Sequence, residues 1–221
     1  MKRKVIITMF VILLLFVAAA GVLFLARPTI IDMQRQASEE ELLRLIEDGQ
    51  TNIQISAIPA MEGEEEEFTE LDYEPPVEAE AEVVEVTGYG VISIPNIDLK
   101  MPVVKGADSY SIRAAAGWYP ESAEMGSAGN CVIFGHRMRE YGRHFNRLDE
   151  LKEGDSITVY NADGESFTYT VTGSEVIKPD ILMETLLEHN EGFSLTLVTC
   201  TPTGVGSHRL LVYAALESSV G

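Results

Sequence analysis

The sequence predicts an all-β domain closed into a barrel, carried behind a membrane-crossing helix and an acidic stalk. Three observations predict it: a long uncharged apolar run near the start, an acidic stretch poor in apolar residues, and then a series of short strand-like runs punctuated by turns. At 221 residues the chain has room for one well-buried core plus appendages. Its formal charge of −19 argues against nucleic acid or an anionic membrane surface as a partner.

The amino terminus carries Lys2-Arg-Lys4, followed by an uncharged run from Val5 to Ala26. That run matches the ~20 residues needed to cross a hydrocarbon core. A cleaved signal peptide is the alternative, since Ala18-Ala-Ala20 offers small residues. Its apolar region is usually only about 7 to 15 residues long, however, so an uncleaved anchor over residues 1–27 is expected. The positive-inside rule keeps the basic triplet in the cytoplasm and puts everything after Arg27 outside. The expected location is the cell membrane, as a single-pass protein with its folded domain extracellular.

Residues 28–85 read as a stalk. Between 32 and 85 there are 18 acidic and two basic residues, against 17 and 10 in residues 86–221. Ser38-Glu-Glu-Glu41 ahead of Leu42, Leu43, Leu45 and Ile46 has the form of a capping box opening a short amphipathic helix that ends before Gly49. The acidic run from Met61 to Glu85, with Pro75-Pro76 inside it, reads as a solvated linker, and a segment folding over a binding site is the sharper alternative.

Residues 86–221 form the folded domain. Strand-like runs fall at 90–94, 101–104, 129–134, 156–160, 166–171, 173–177, 194–198 and 209–213, with the hairpin signal Asn161-Ala-Asp-Gly164 between the fourth and fifth. Their number and spacing predict a closed barrel. Short helices are expected at 109–116 and 181–189. Trp118 and Tyr119 are read as barrel packing.

Two cysteines, Cys131 and Cys200, permit a disulfide in an exported chain. Their settings differ. Cys131 lies in the apolar run Cys131-Val-Ile-Phe134 and resembles a buried small hydrophobe. Cys200 sits where a strand gives way to a polar loop. His136, in Phe134-Gly-His-Arg137, ends another strand in the same manner, and Arg209 opens the strand that returns from the Cys200 loop. A free thiol has a pKa of about 8.5 and an imidazole about 6.5, so an adjacent histidine can act as base or stabilise the thiolate as imidazolium. A guanidinium beside them can hold the oxyanion formed when a thiolate attacks an amide carbonyl. His208 neighbours Arg209 and competes for the histidine role.

The stretch Thr196-Leu-Val-Thr-Cys200 resembles the Thr-Leu-x-Thr-Cys signature of sortases, the membrane-anchored cysteine transpeptidases of Gram-positive cell surfaces. Gly90-Val-Ile-Ser-Ile-Pro95 looks like the family's opening strand, and Gly129-Asn-Cys-Val-Ile-Phe-Gly-His136 like its histidine strand. Pro202 to Arg209 looks like its loop and arginine. The resemblance, from about residue 88 to 215, implies an eight-stranded sortase barrel. It implies Cys200 as nucleophile, His136 as general acid/base and Arg209 as substrate and oxyanion stabiliser. Thr199 and Thr201, flanking the cysteine, are expected to bind substrate, and His208 becomes structural. The implied reaction opens the Thr–Gly bond of a Leu-Pro-x-Thr-Gly-like sorting signal on a surface or pilin protein. The acyl group passes to the amine of a cell-wall precursor or of a pilin lysine, and no metal or organic cofactor is required.

Thr201 to Val212 and the spacing from His136 to Phe145-Asn-Arg-Leu148 look most like the pilus-polymerising class C enzymes. The chain stops at Gly221 without the carboxy-terminal hydrophobic anchor common in that class, and residues 61–85 lack an Asp-Pro-aromatic lid motif. A class D-like or housekeeping role therefore stands beside class C. An L,D-transpeptidase would carry Ser-His-Gly-Cys where Val198-Thr-Cys200 stands, and a papain-like protease places its cysteine before its histidine. A non-catalytic membrane-anchored binding module is the alternative outside enzymes.

Overall fold

The computed structural model describes residues 2–56, 83–107, 111–189 and 192–220. Nine strands are found among them: β1 (Asn52–Ser56), β2 (Val83–Ile94), β3 (Leu99–Lys105), β4 (Ala116–Trp118), β5 (Gly129–Phe134), β6 (Ser156–Asn161), β7 (Ser166–Ile177), β8 (Phe193–Thr201) and β9 (His208–Val220). Three α-helices accompany them: α1 (Lys2–Glu47), α2 (Ser111–Ala114) and α3 (Leu182–Glu188). The strands follow one another in the order β1-β2-β3-β4-β5-β8-β9-β7-β6, and β2 also pairs with β6. That last pairing closes β2 to β9 into an eight-stranded barrel, which removes the sheet's open edges.

The closed barrel agrees with the sequence, but several elements differ. Residues 166–177 form one strand, β7, with a register irregularity between Val171 and Gly173 where two strands were expected. Of the helix expected at 109–116, the described residues show α2, and 109 and 110 lie outside them. Ala116–Trp118 instead bridges β3, in parallel, and β5, antiparallel. Backbone pairing on both sides overrides the helix preference of the alanines. Asn161 Oδ1 accepts from the N–H groups of Asp163 and Glu165, which builds the expected β6–β7 turn.

The largest correction concerns the stalk. Ser38 does not open a helix; it lies inside α1, which runs unbroken from Lys2 to Glu47. The reason is packing. Leu42 and Ile46 are buried with Ile53 and Ile55 of β1, Val86, Val91 and Val104 of the barrel, and Ala114 and Ala115. A helix is held in a protein chiefly by such an apolar face. β1 then adds a ninth strand outside the barrel, with Ile53 opposite Val86 and Ile55 opposite Val84. The acidic run from Met61 onward lies outside the described residues up to Glu82. At the start of α1, Met9 to Val17 are solvent-exposed apolar side chains. Among the described residues no helix is long and apolar enough to cross a membrane.

Two cores lie on opposite faces of the central strands. Because side chains alternate along a strand, Cys131 and Ile133 of β5, Leu195 and Leu197 of β8, and Leu210 and Val212 of β9 point into the barrel. Val132, Phe134, Val198, Cys200 and Leu211 join the other cluster, which Leu182 and Leu186 of α3 cover. Each such leucine contributes about 1.5–3 kcal/mol of burial. A buried hydrogen-bond chain ties the layers together: Thr196 Oγ1 donates to Asn130 Oδ1 at 2.8 Å, and Asn130 Nδ2 donates to the Leu186 carbonyl at 3.3 Å.

Candidate active site

The register of three adjacent strands assembles the site. β5 and β8 run parallel with Phe134 opposite Val198. The Gly135 N–H still donates to the Val198 carbonyl at 3.0 Å, so the ladder continues past the end of β5. His136 and Cys200 each stand two residues beyond that last pair and are therefore level with one another. On the other side, β9 runs antiparallel to β8 with Arg209 directly opposite Cys200. Cys200 thus lies between the histidine and the arginine. Phe134, Val198, Cys200 and Leu211 share the cluster beneath α3, and His136 and Arg209 fall on the same strand parity as Phe134 and Leu211.

All three side chains are buried, Cys200 to 2%, Arg209 to 3% and His136 to 8% residual exposure. Burial at these values shields the sulfur from bulk water and strengthens any charge interaction made there. The Arg209 guanidinium is fixed by its own loop: Nη1 donates to the Gly206 carbonyl at 2.7 Å and to the His208 carbonyl at 3.1 Å. Gly206 sits at φ +66° in the left-handed region, with room for only ordinary contact against the Cys200 Cβ. The loop therefore turns back tightly over the thiol.

Neighbouring residues hold the two strand ends in place. Thr199 is fully buried and its Oγ1 donates to the Gly135 carbonyl at 2.7 Å. Its hydroxyl is committed to the histidine strand, which makes it a brace between the two strand ends. Thr201 Oγ1 accepts from Arg137 Nη1 at 2.9 Å, and Arg137 Nη2 pairs with Asp149 at 2.7 Å. The residue after the histidine thus clamps the residue after the cysteine. Gly135 allows this path because a Cβ there would come within 2.4 Å of the Phe145 ring.

The remaining histidines and the other cysteine take different places. His208 stands opposite Thr201 with Nδ1 3.0 Å from Ser207 Oγ, and His189 stacks on Tyr213 at 4.1 Å between ring centroids. Burial, with the hydrogen bond that Tyr213 donates to Glu175, pushes its hydroxyl pKa up. Trp118 packs in the barrel core, stacked on Tyr89 at 4.1 Å, as expected. No disulfide joins the two cysteines. Cys131 is 1% exposed in the barrel interior, and burial pushes its thiol far above the usual range. It stays protonated and inert.

Sequence reasoning quoted Arg137 without a role and used Phe145 only for its spacing from His136. It also passed over His144, whose ring meets that of His136 edge to face at 6.4 Å. The available signal was the Gly-Arg-His-Phe stretch at 142–145, where a histidine sits beside an arginine just ahead of a core aromatic.

The family model for the Sortase domain matches residues 92–217, more than half of the chain. The chain belongs to the sortase family. Among curated relatives, this sortase is 34% identical over 123 residues to Sortase A of Bacillus anthracis, covering 56% of the chain and 57% of the relative. It is 31% identical over 127 residues to Sortase D of Bacillus subtilis (strain 168), covering 56% and 61%. The chain thus spans about six tenths of the length of these curated relatives. Among solved structures, the sortase superposes on Sortase A from Corynebacterium diphtheriae with a TM-score of 0.54 at 33% identity, covering 59% and 61% of the two chains. It superposes on the pilus-related Sortase C of Group B Streptococcus with a TM-score of 0.54 at 30% identity, covering 59% and 68%.

Proposed function

We propose that this sortase is a cysteine transpeptidase in which Cys200 is the nucleophile, His136 the general acid/base and Arg209 the oxyanion partner. The observation that carries the reading is the register that sets Cys200 between His136 and Arg209 on one buried face. The Cys200 thiolate attacks the threonine carbonyl carbon of a Leu-Pro-x-Thr-Gly-like signal. The carbonyl oxygen takes up negative charge beside the Arg209 guanidinium, a permanent cation that the Gly206 and His208 carbonyls hold in place. Collapse of the tetrahedral adduct breaks the C–N bond, the His136 imidazolium gives its proton to the departing glycine amine, and a thioester remains on Cys200. An acceptor amine then attacks the thioester, passes its proton to His136 and releases the thiolate. The acceptor is the amine of a cell-wall precursor or of a pilin lysine, and the donors are surface or pilin proteins carrying the signal.

The role of Thr199 and Thr201 is to keep the strand ends in register under the substrate, and Thr201, half-buried beside Cys200, is the one of the two with surface left to meet it. The amino-terminal run from Val5 to Ala26 is the single-pass membrane anchor. The exposed apolar side chains from Met9 to Val17 support it, since such a surface calls for an apolar surrounding. The barrel then stands on the extracellular side, on α1.

The test is product analysis. Full-length protein in mild detergent, given Leu-Pro-x-Thr-Gly peptides and an amine acceptor, should release the glycine-led fragment and yield a threonine-linked amide, and Cys200→Ala should yield neither. A folded wild type that gives no product with any peptide of the library would overturn the reading in favour of a binding module.

A further inference from the structure

His144 joins the amino-terminal helix to the active site. Its side chain is wholly buried, and among the described residues neither ring nitrogen has a hydrogen-bond partner of good geometry. A carboxylate from far away in the chain faces it: His144 Nε2 lies 3.4 Å from Oε2 of Glu39 on α1. The same Glu39 oxygen accepts from Arg143 Nη2 at 3.1 Å. On its other side the His144 ring meets His136 edge to face. Its backbone sits at φ +46°, a left-handed conformation that strains a non-glycine residue. A buried polar ring with unmet nitrogens on a strained backbone is costly twice over, and the contact that can repay it runs from α1 to the catalytic histidine.

We propose, resting on the transpeptidase reading, that α1 positions His136 through Glu39 and His144, so that proton transfer at Cys200 depends on docking of this helix. The Glu39 carboxylate faces Nε2 of the His144 ring at 3.4 Å, and the edge of that ring sets the angle of the His136 imidazole. Glu39 and His144 are positioning residues: neither touches the sulfur. The charged groups around the pair are Arg143 and Glu140 of the same loop, Asp32, Arg35 and Glu39 of α1, and His136 at the end of β5. Arg143 reaches Asp32 and Glu140 at 3.7 Å each, and Arg35 Nη1 reaches the Met138 sulfur at 3.7 Å, so helix and loop are joined at several points. With this arrangement a barrel freed of α1 keeps its nucleophile and loses the support of its acid/base. Loss of the Glu39 carboxylate removes a negative charge from the surroundings of the His136 ring, which disfavours its imidazolium and with it the Cys200 thiolate.

The experiment follows the rate of Cys200 alkylation by iodoacetamide against pH, by peptide mapping, in full-length protein in mild detergent. It compares wild type, Glu39→Gln, His144→Asn and the double variant, with melting temperatures alongside. Glu39→Gln keeps the shape of the side chain and removes its charge, and asparagine tolerates the left-handed backbone at 144. The expected result is a midpoint moved upward by about half a pH unit or more in Glu39→Gln. With sorting peptide, kcat should fall about tenfold with little change in KM. In the His144→Asn background, Glu39→Gln should add nothing. Superimposable profiles for wild type and Glu39→Gln would overturn the proposal, as would a Glu39→Gln shift that persists without His144. Should His144→Asn fail to fold, the Glu39→Gln profile alone decides. Alkylation needs no peptide, so a wild type that turns over no substrate sinks the transpeptidase reading and leaves the positioning test standing.

Discussion

Cys131 and Cys200 stand on adjacent, parallel strands, and both are buried, to 1% and 2% residual exposure. Exposure therefore does not separate them. Cys131 points into the barrel, opposite Leu195 and among Ile133, Leu197 and Val212, and burial in apolar surroundings holds its thiol in the neutral form. Cys200 points to the other face, at the end of its strand, where a histidine and an arginine arrive on the two flanking strands. Strand parity and strand end make one sulfur filler and fit the other for the nucleophile's role proposed above. The barrel interior is apolar throughout this region, whereas the face beneath α3 ends in a polar rim that can support charge.

The sharpest way to break this contrast is to exchange the fates of the two thiols. Cys200→Ala should lower transpeptidation by on the order of 10⁴-fold or more, measured by product formation. Cys131→Ala should leave kcat and KM at wild-type values and cost about 1–2 kcal/mol in denaturant unfolding, from the cavity left in the core. A loss of activity in Cys131→Ala without loss of fold would erase the distinction.

Arg209→Ala should reduce kcat by on the order of 10²–10³-fold, and Arg209→Lys should recover only part of it. Lysine keeps the charge and lacks the planar fork that the Gly206 and His208 carbonyls hold. Equal activity of the lysine variant and wild type, in a steady-state assay, would reduce the role of Arg209 to charge alone.

Gly135→Ala comes next. Its Cβ would meet the Phe145 ring at 2.4 Å, so the ring or the His136 backbone must shift, at about 1–3 kcal/mol of stability and with a disproportionate loss of activity. Arg137→Ala removes the link to Thr201 and the pair with Asp149 and should cost about 1 kcal/mol with a several-fold loss of kcat. Thermal or denaturant melts beside steady-state rates distinguish the two.

The smallest effect is a pH effect on stability at Glu39. Burial raises its pKa, but the neighbouring His144 and Arg143 outweigh it and leave the carboxyl below its ordinary value. A depressed folded-state pKa means stability that is present above the unfolded value and is lost as pH falls through the folded one. Glu39→Gln should therefore flatten the acid limb of the stability curve below about pH 4.5 and leave its slope at neutral pH unchanged, read by denaturant titration at several pH values.

What the sequence disclosed follows the same division. The barrel strands were legible because short runs rich in Val, Ile, Thr and Leu stand between Gly and Asp turns. The three proposed site residues could be named because each marks a strand end within a family signature, and the register brings them side by side. The long α1 was not, because the Ser38 cap signal is local and the packing of Leu42 and Ile46 on Val91 and Val104 is not. β1 and β4 were missed for the same reason: Asn52–Ser56 and Ala116–Trp118 are short and become strands only through partners already in place. Glu39 and His144 are 105 residues apart and meet only when helix and barrel dock.

The most direct measurement is to locate the acyl group. Full-length protein is incubated with a Leu-Pro-x-Thr-Gly peptide without an added acceptor, quenched in acid and mapped by mass spectrometry. The account predicts a threonyl thioester on Cys200 and an unmodified Cys131. A peptide adduct on Cys131, or turnover that persists in Cys200→Ala, would contradict it.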